Sequence, residues 1–301
     1  MRENMVSIPG GMMLMNTGET PVEQTPAPQV SVNPFWMDRH AISNRQFKQF
    51  IHDTGYVTRA ERVPAPALES RARPELELTS TVASHSASES DRGKWWTFVP
   101  GANWKHPRGP GSSLNGLWNH PVVHVAFEDA QAYADWARKE LPTEAEWEFA
   151  ARGGHEGVEF IWGQQYMHTR RALSNNWPGE FSWNQLLADY DSTAPLGSYL
   201  PNGYGLFDMA GNVWEWTVAC AQQRAGRDDA RSADAKSCGC ASEHRVSLRA
   251  HVTGIPRKVM NRVSHRYVPD QSSPRSRSAA QTEEVDIFNL GFRCIVRAST
   301  L

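Results

Sequence analysis

The sequence has little cysteine and no long apolar run. Four cysteines among 301 residues are too few for the disulfide framework of a small secreted protein, which indicates a reducing, cytoplasmic setting. No stretch reaches the roughly 18 apolar residues that a membrane helix needs, and residues 1–10 carry no apolar signal core. We therefore expect neither a membrane partner nor a secretory route.

An excess of one charge sign is also missing. The 31 Lys and Arg residues balance 33 Asp and Glu residues, which gives a formal net charge of −2. This balance excludes a nucleic-acid binder driven by bulk positive charge and a chain kept disordered by its net charge. We expect no nucleic-acid partner.

Tryptophan, proline and glycine are what the chain has in quantity, with 12, 19 and 22 copies. Because proline and glycine interrupt helices, this mixture argues against a long helical bundle. It favours a large, irregular, loop-rich domain anchored by aromatic side chains. The sequence shows no internal repeat or clean linker, so residues 1–301 are interpreted as a single domain with polar surface excursions at 62–93 and 221–258.

Apolar periodicity predicts a few short regular elements. Strands are expected within 5–11 and at 30–37, 120–125 and 290–296. A first helix places Phe47, Phe50 and Ile51 on one face. Ser43 is its expected N-cap, and Gly55 is expected to end it.

Two further helices are expected at 127–139 and 144–151. The second begins with a capping box, in which Thr143 is the N-cap and Glu146 the third helical residue. Trp147 falls in the apolar stripe of this helix, which predicts that its ring is buried.

Three blocks stand in order along the chain: HPVVHV at 120–125 leading to LPTEAEWEFAARGG at 141–154, NGYGLFDMAGNVWEWT at 202–217, and NLGFRC at 289–294. Together they resemble the formylglycine-generating enzymes, also called sulfatase-modifying factors. The stretches IPGG at 8–11 and TGYVTRAE at 54–61 fit the bacterial branch of that family. The resemblance implies a C-type-lectin-like α+β fold with little regular secondary structure. It also implies the family's reaction, in which oxygen oxidises a sulfatase cysteine to formylglycine.

The resemblance assigns two structural calcium sites. The first uses the side chains of Asp208 and Glu215 and the carbonyls of Gly211 and Val213, all of them the hard oxygen donors that calcium prefers. The residues implied for the second site are Asn175, Asn176, Asp189 and Tyr190. Without the resemblance, Asp208 and Glu215 are better explained as carboxylates that cap turns and pair with arginines.

The family's catalytic centre consists of two cysteine thiolates that hold Cu(I), a soft ion that selects sulfur. Here the matching positions are Tyr267 and Ser272, whose hydroxyl groups are hard and poorly ionised donors near pH 7. No cysteine lies between Cys240 and Cys294, so no shift of register restores the pair. The sequence therefore predicts that copper is not a cofactor and that no catalytic residue of the family is intact.

The segment around the former copper positions is basic and polar, and it offers a candidate peptide- or anion-binding groove. Ser264 and His265 in this segment are substrate-binding candidates, and Trp214 is a third because the resemblance implies that it lines the substrate groove. A solvated loop is the alternative for Ser264 and His265, and core packing is the alternative for Trp214, since a tryptophan supplies a large apolar area.

Cys238 and Cys240, with His244 and His251 nearby, leave several interpretations open. A metal clip is one, although the spacing lacks the second pair that a closed zinc site needs. A free or redox-active pair is another, and simple inheritance from bacterial relatives with neighbouring cysteines is the third. Cys294, in the closing strand, is expected to be a small buried hydrophobic residue.

Three functions follow from these observations. The first is a divergent family member that keeps the scaffold and calcium sites and acts as a binding or regulatory protein for sulfatase-type peptides or a partner enzyme. The second is an active oxidoreductase that converts a sulfatase cysteine or performs a related metal-dependent oxidation. The third is a lectin-like variable ligand-binding protein, which the unusual stretch at 261–288 would suit.

Overall fold

Short elements joined by long irregular connections make up the described part of the chain. The computed structural model describes residues 4–14, 29–62, 79–83, 96–155, 167–168, 171–172, 193–218, 257–261, 279–282, 286–287 and 289–297. The helices are α1 (Asn44–Thr54), α2 (Arg59–Arg62), α3 (Phe127–Trp136) and α4 (Glu144–Ala151). None of these helices is long and apolar enough to cross a membrane.

Fourteen short strands accompany the helices in the described residues. They are β1 (Met5–Ile8), β2 (Gly11–Leu14), β3 (Gln29–Val32), β4 (Phe35–Asp38), β5 (Thr79–Ala83), β6 (Trp96–Phe98), β7 (Met167–His168), β8 (Arg171–Ala172), β9 (Trp214–Thr217), β10 (Arg257–Asn261), β11 (Ala279–Thr282), β12 (Asp286–Ile287), β13 (Leu290–Gly291) and β14 (Ile295–Arg297). Helices and strands are interspersed, which agrees with the expected α+β class.

Two sheets build the framework. The first has the order β1–β4–β14, is antiparallel throughout, and joins the earliest described strand to the last. The second has the order β11–β10–β9–β13. Within it, β9 pairs antiparallel with β10 and parallel with β13, and all four β9 residues are buried.

The smaller sheets include one result that the composition did not predict. Strand β5 lies inside the excursion expected at 62–93, where it pairs antiparallel with β6 and parallel with β12. Its sequence, TSTVA, is rich in the β-branched residues that favour strands. Because the surrounding segment is polar, the sequence analysis predicted a surface excursion there and no strand. The remaining two sheets are the pairs β2–β3 and β7–β8.

Local capping signals confirm the predicted starts of α1 and α4. The Ser43 hydroxyl accepts the Gln46 N–H (3.2 Å), and the Gln46 side chain accepts the Ser43 N–H (3.0 Å). Thr143 and Glu146 form the same reciprocal arrangement at α4. Gly55 ends α1 in the left-handed conformation at φ +67°, as expected for a glycine at this position.

Helix α3 ends earlier than predicted, at Trp136 rather than at 139. Arg138 adopts φ +54°, and the Lys139 N–H reaches back to the Ala134 carbonyl at 2.8 Å. This is the pattern of a Schellman termination. A glycine usually occupies the left-handed position, so an arginine there gave the sequence no stop signal.

The strand predicted at 120–125 is wrong. Pro121 forms a single bridge with Ser43, and the Val122 N–H donates to the Ile42 carbonyl at 2.8 Å, but no ladder continues. His124 has φ +55°, which takes the chain out of the extended region. The predicted closing strand likewise divides into β13 and β14.

The aromatic residues occupy the core, as the composition indicated. One cluster of buried residues surrounds Phe47, Trp104, Tyr133 and Phe292 beneath α1 and α3. A second cluster surrounds Phe35 and packs α4 against the first sheet through Trp147, Leu206 and Met37. Neighbours of Asp208 and Glu215 in the sequence belong to both clusters, with Trp214 and Trp216 in the first and Leu206 and Met209 in the second.

Candidate functional site

The loop at 202–206 is fixed to the end of α4 before the chain reaches the predicted calcium ligands. The Asn202 amide donates to the carbonyls of Ala150 (2.8 Å) and Ala151 (3.1 Å), and its own oxygen accepts two backbone N–H groups of the loop. A Cβ placed on Gly203 would lie 2.2 Å from the Gly153 carbonyl oxygen. The first and second sequence blocks therefore meet through a contact that only glycine permits at 203.

Asp208 lies at the turn that follows this loop. Its backbone is left-handed, with φ +55°, and its Oδ2 accepts the Gly197 N–H at 2.9 Å. Its Oδ1 is buried and accepts no hydrogen bond within the described part of the chain. Burial, with a smaller contribution from the nearby Glu215 carboxylate, raises the pKa of Asp208. A buried oxygen of this kind suits a cation as its missing partner.

Glu215 has a complete set of partners. The Arg293 guanidinium donates to both carboxylate oxygens, from Nε at 3.0 and 2.8 Å and from Nη2 at 2.8 Å. The Trp147 Nε1–H donates to Oε2 at 2.7 Å. Arg293 is 0% and Glu215 1% exposed, so this is a buried ion pair in which the glutamate oxygens already have donors.

The fit to calcium therefore differs between the two carboxylates. Asp208 offers a buried oxygen that lacks a donor, whereas Glu215 matches the alternative of a carboxylate paired with an arginine. Within the described residues, no group of three or more His, Cys, Asp and Glu side chains is arranged to hold a metal. A calcium at this turn would depend on Asp208 and on backbone carbonyls, and the assignment remains a prediction.

Arg293 is the functional residue that sequence reasoning passed over. It stands in the quoted NLGFRC block without a role, although an arginine among apolar residues of a closing segment signals a buried partner. Its Nη2 also donates to the Phe207 carbonyl at 3.0 Å. The side chain thus joins the closing segment to both ends of the 207–215 turn.

Several predicted site residues lie outside the described residues. These are the second calcium set (Asn175, Asn176, Asp189 and Tyr190), the former copper positions (Tyr267 and Ser272), the binding candidates Ser264 and His265, and the pair Cys238 and Cys240. The described backbone does place the strand that leads into the former copper segment. In β10, Asn261 lies opposite Glu215 and Met260 lies opposite Trp216.

Trp214 and Cys294 occupy the positions that their packing interpretations predicted. Trp214 is buried at 6% exposure and belongs to the first core cluster. Cys294 is a free, fully buried thiol, and burial raises its pKa well above the ordinary range. Cys294 is therefore a packed, protonated side chain at neutral pH.

Comparison with known proteins identifies the family. The profile of the Sulfatase-modifying factor enzyme 1-like domain matches residues 1–298. This chain belongs to that family. PvdO from Pseudomonas aeruginosa has a similar structure, with a TM-score of 0.60 over 97% of this chain and 94% of PvdO at 19% identity. At that identity, the similarity establishes the fold.

Relatives in this family include both active and inactive proteins by name. The formylglycine-generating enzyme of Thermomonospora curvata is 45% identical over 221 residues, covering 71% of this chain and 70% of the relative. That of Mycobacterium tuberculosis is 36% identical over 300 residues, 98% of each chain. The inactive C-alpha-formylglycine-generating enzyme 2 of Bos taurus is 35% identical over 301 residues, 97% of this chain and 87% of the relative.

Proposed function

We propose that this chain is a non-oxidising member of the family that binds sulfatase-type peptides or a partner enzyme. The observation that carries the proposal is the replacement of both copper thiols, by Tyr267 and Ser272, with no cysteine between Cys240 and Cys294. Oxygen donors do not supply the soft sulfur ligands that Cu(I) requires. The oxidation step of the family therefore lacks its metal centre here.

Cys294 does not replace the missing thiols. Its side chain is inaccessible at 0% exposure, and its raised pKa keeps it protonated, whereas metal binding and nucleophilic chemistry require the thiolate. Its N–H donates to Asp38 at 3.1 Å, which fixes its backbone within the core. This supports a structural role for the one cysteine that the described residues contain.

The strand that leads into the former copper segment is part of a paired sheet, which supports a scaffold for binding without oxidation. Strand β10 leads into that segment while paired with β9, and β9 is held from behind by the Glu215–Arg293 pair. A relative named as inactive covers nearly the same length, so a non-oxidising protein on this scaffold has a counterpart in the family.

Further assignments belong to the same proposal. Calcium would be held by Asp208 and the carbonyls of Gly211 and Val213, with Glu215 orienting the turn through Arg293, and by the set at 175, 176, 189 and 190. In that role the ion would supply fixed positive charge for a structural turn. We also propose a C-type-lectin-like fold and a reducing, cytoplasmic setting.

Two measurements on one peptide test the proposal. The copper-treated protein is incubated in air with a cysteine-containing sulfatase peptide, and mass spectrometry follows conversion of the thiol to the aldehyde. Fluorescence anisotropy of the labelled peptide measures binding. We expect saturable binding and no aldehyde. The Tyr267→Cys/Ser272→Cys double variant controls for copper loading, because it restores both thiols.

The outcomes separate the candidate functions. Multiple-turnover aldehyde formation by the unmodified protein would restore the active-oxidoreductase interpretation. Absence of both aldehyde and peptide binding would remove sulfatase-type peptides as ligands. Binding that His265→Ala weakens without affecting the melting temperature would support the groove around the former copper positions.

A further inference from the structure

A buried carboxyl group joins the segment that follows α1 to the start of α3. Asp129, at the third position of α3, is 0% exposed. Its Oδ2 accepts the Ala126 N–H at 2.8 Å, which caps the helix. Its Oδ1 accepts both the Tyr56 hydroxyl and the Arg59 N–H at 3.0 Å. One side chain therefore holds residues 56–62, which include α2, against α3.

The charges that face Asp129 do not neutralise it closely. Arg62 Nη2 lies 4.0 Å from Oδ1, and the same nitrogen donates to Glu128. Arg59 Nη1 lies 3.9 Å from the Glu128 carboxylate. Glu128 itself is a like charge beside Asp129 in the sequence. The groups that face Asp129 are therefore the Tyr56 phenol, the side chains of Arg59 and Arg62, which both also approach Glu128, and Glu128 itself.

The surroundings accommodate a neutral Asp129 without losing a hydrogen bond. A hydroxyl group both donates and accepts, so the Tyr56 hydroxyl can rotate and accept from a protonated Oδ1. The Ala126 and Arg59 N–H groups retain acceptor lone pairs on the two oxygens. The ionised form, by contrast, must keep its charge away from water at a site whose nearest named cationic nitrogen, Arg62 Nη2, lies 4.0 Å away and is shared with Glu128.

We propose that Asp129 is a proton-dependent clamp, which holds residues 56–62 against α3 more tightly in mild acid than at pH 8. When this segment separates from α3, Asp129 meets water and becomes an ordinary surface carboxyl. Closing the clamp is therefore coupled to proton uptake by a single side chain.

The direction follows from linkage. Burial raises the pKa of Asp129 from 3.8 to about 6 in the closed state. A carboxyl whose pKa is raised on closing favours the closed state at low pH and loses that advantage as the pH rises through the raised value. With these two pKa values, the closing equilibrium strengthens about tenfold between pH 8 and pH 5.

Hydrogen exchange at the Arg59 amide reports the clamp directly, because that N–H bonds to Asp129. After correction for the intrinsic pH dependence of exchange, we expect its protection factor to rise about tenfold from pH 8 to pH 5. The Phe47 amide, bonded to the Ser43 carbonyl within α1, is the internal reference and should show no such rise.

Variants separate the clamp from general acid effects. Asp129→Asn should abolish the pH dependence of Arg59 protection, whereas Asp53→Asn, which alters an exposed carboxylate on α1, should leave it unchanged. Protection in the wild type that is independent of pH, or a rise that Asp129→Asn retains, would overturn the proposal. If Asp129→Asn does not fold, the carboxyl titration by carbon NMR in the wild type decides instead: a midpoint near 6 supports the clamp, and one below 4.5 refutes it.

Discussion

Arg293 donates three hydrogen bonds to the Glu215 carboxylate inside the protein, across 78 residues of sequence. Trp147 completes the set by donating to the same carboxylate. Because both charges are buried, each would lack a counter-ion inside the protein if the other were removed. The turn assigned to calcium is thus anchored by a cation that the chain itself supplies.

Removing one member of this pair should cost far more than removing a surface charge. Breaking a buried ion pair costs about 3–5 kcal/mol, and we expect Glu215→Gln to lower the free energy of unfolding by that order. Glu128→Gln alters an exposed partner of Arg62 and should cost less than about 1 kcal/mol. Urea unfolding of both variants measures the difference. Similar losses in the two variants would contradict a central role for the pair.

Calcium removal should destabilise the protein through Asp208. A ligand that binds only the folded state stabilises it by about 2.7 kcal/mol at a hundredfold excess over Kd, so EGTA should lower the melting temperature. Asp208→Ala should reduce this response to the share that the second predicted site contributes, and Asp53→Ala should retain all of it. Glu215→Ala is less informative, because it also leaves the buried Arg293 without its counter-ion. An unchanged melting curve with EGTA, in protein shown by elemental analysis to contain calcium, would refute the site.

Trp147 should contribute more to stability than the N-cap of its helix. Its ring is 8% exposed and lies in the second core cluster, and truncation of a buried tryptophan to alanine costs about 3–5 kcal/mol. Loss of an N-cap costs about 0.5–2 kcal/mol. Urea unfolding should therefore rank Trp147→Ala as more destabilising than Thr143→Ala. Trp147→Phe isolates the hydrogen bond to Glu215, and the opposite ranking would show that the helix is held mainly by its cap.

The contact between Gly203 and Gly153 should tolerate no side chain at 203. A Cβ there lies 2.2 Å from a backbone oxygen, so Gly203→Ala should force the loop off α4 and cost about 1–3 kcal/mol. Gly111→Ala is the matched control, because nothing lies within 4 Å of its Cβ position and its φ is not in the left-handed region. Thermal melts compare the two, and equal melting temperatures would mean that the loop yields without cost.

Local rules predicted the parts of the fold that depend on a few neighbouring residues. The capping boxes at Ser43 and Thr143, and the glycine stop at Gly55, each bring together residues at most a few positions apart. Their hydrogen bonds are therefore set by the sequence pattern itself. The same holds for the apolar face of α1, which buries Phe47 and Phe50.

Sequence reasoning failed where distant segments decide the conformation. The apolar run at 120–125 has strand composition, but its backbone bonds to residues around Ile42 and turns at His124. The partner of Glu215 is 78 residues away, beyond the reach of any periodicity. The family resemblance pointed to Asp208 and Glu215 but not to the arginine that distinguishes their surroundings.

The sheet β1–β4–β14 can be completed only late in the synthesis of the chain. Ile295 of β14 pairs with Met37 of β4, 258 residues earlier, so one edge of β4 is completed only after β14 has left the ribosome. At translation rates of about 5–20 residues per second, that interval is between about ten and fifty seconds. An open strand edge is a template for pairing with other chains. During that interval, this edge of β4 is open to pairing with other chains unless a chaperone or another part of the chain covers it.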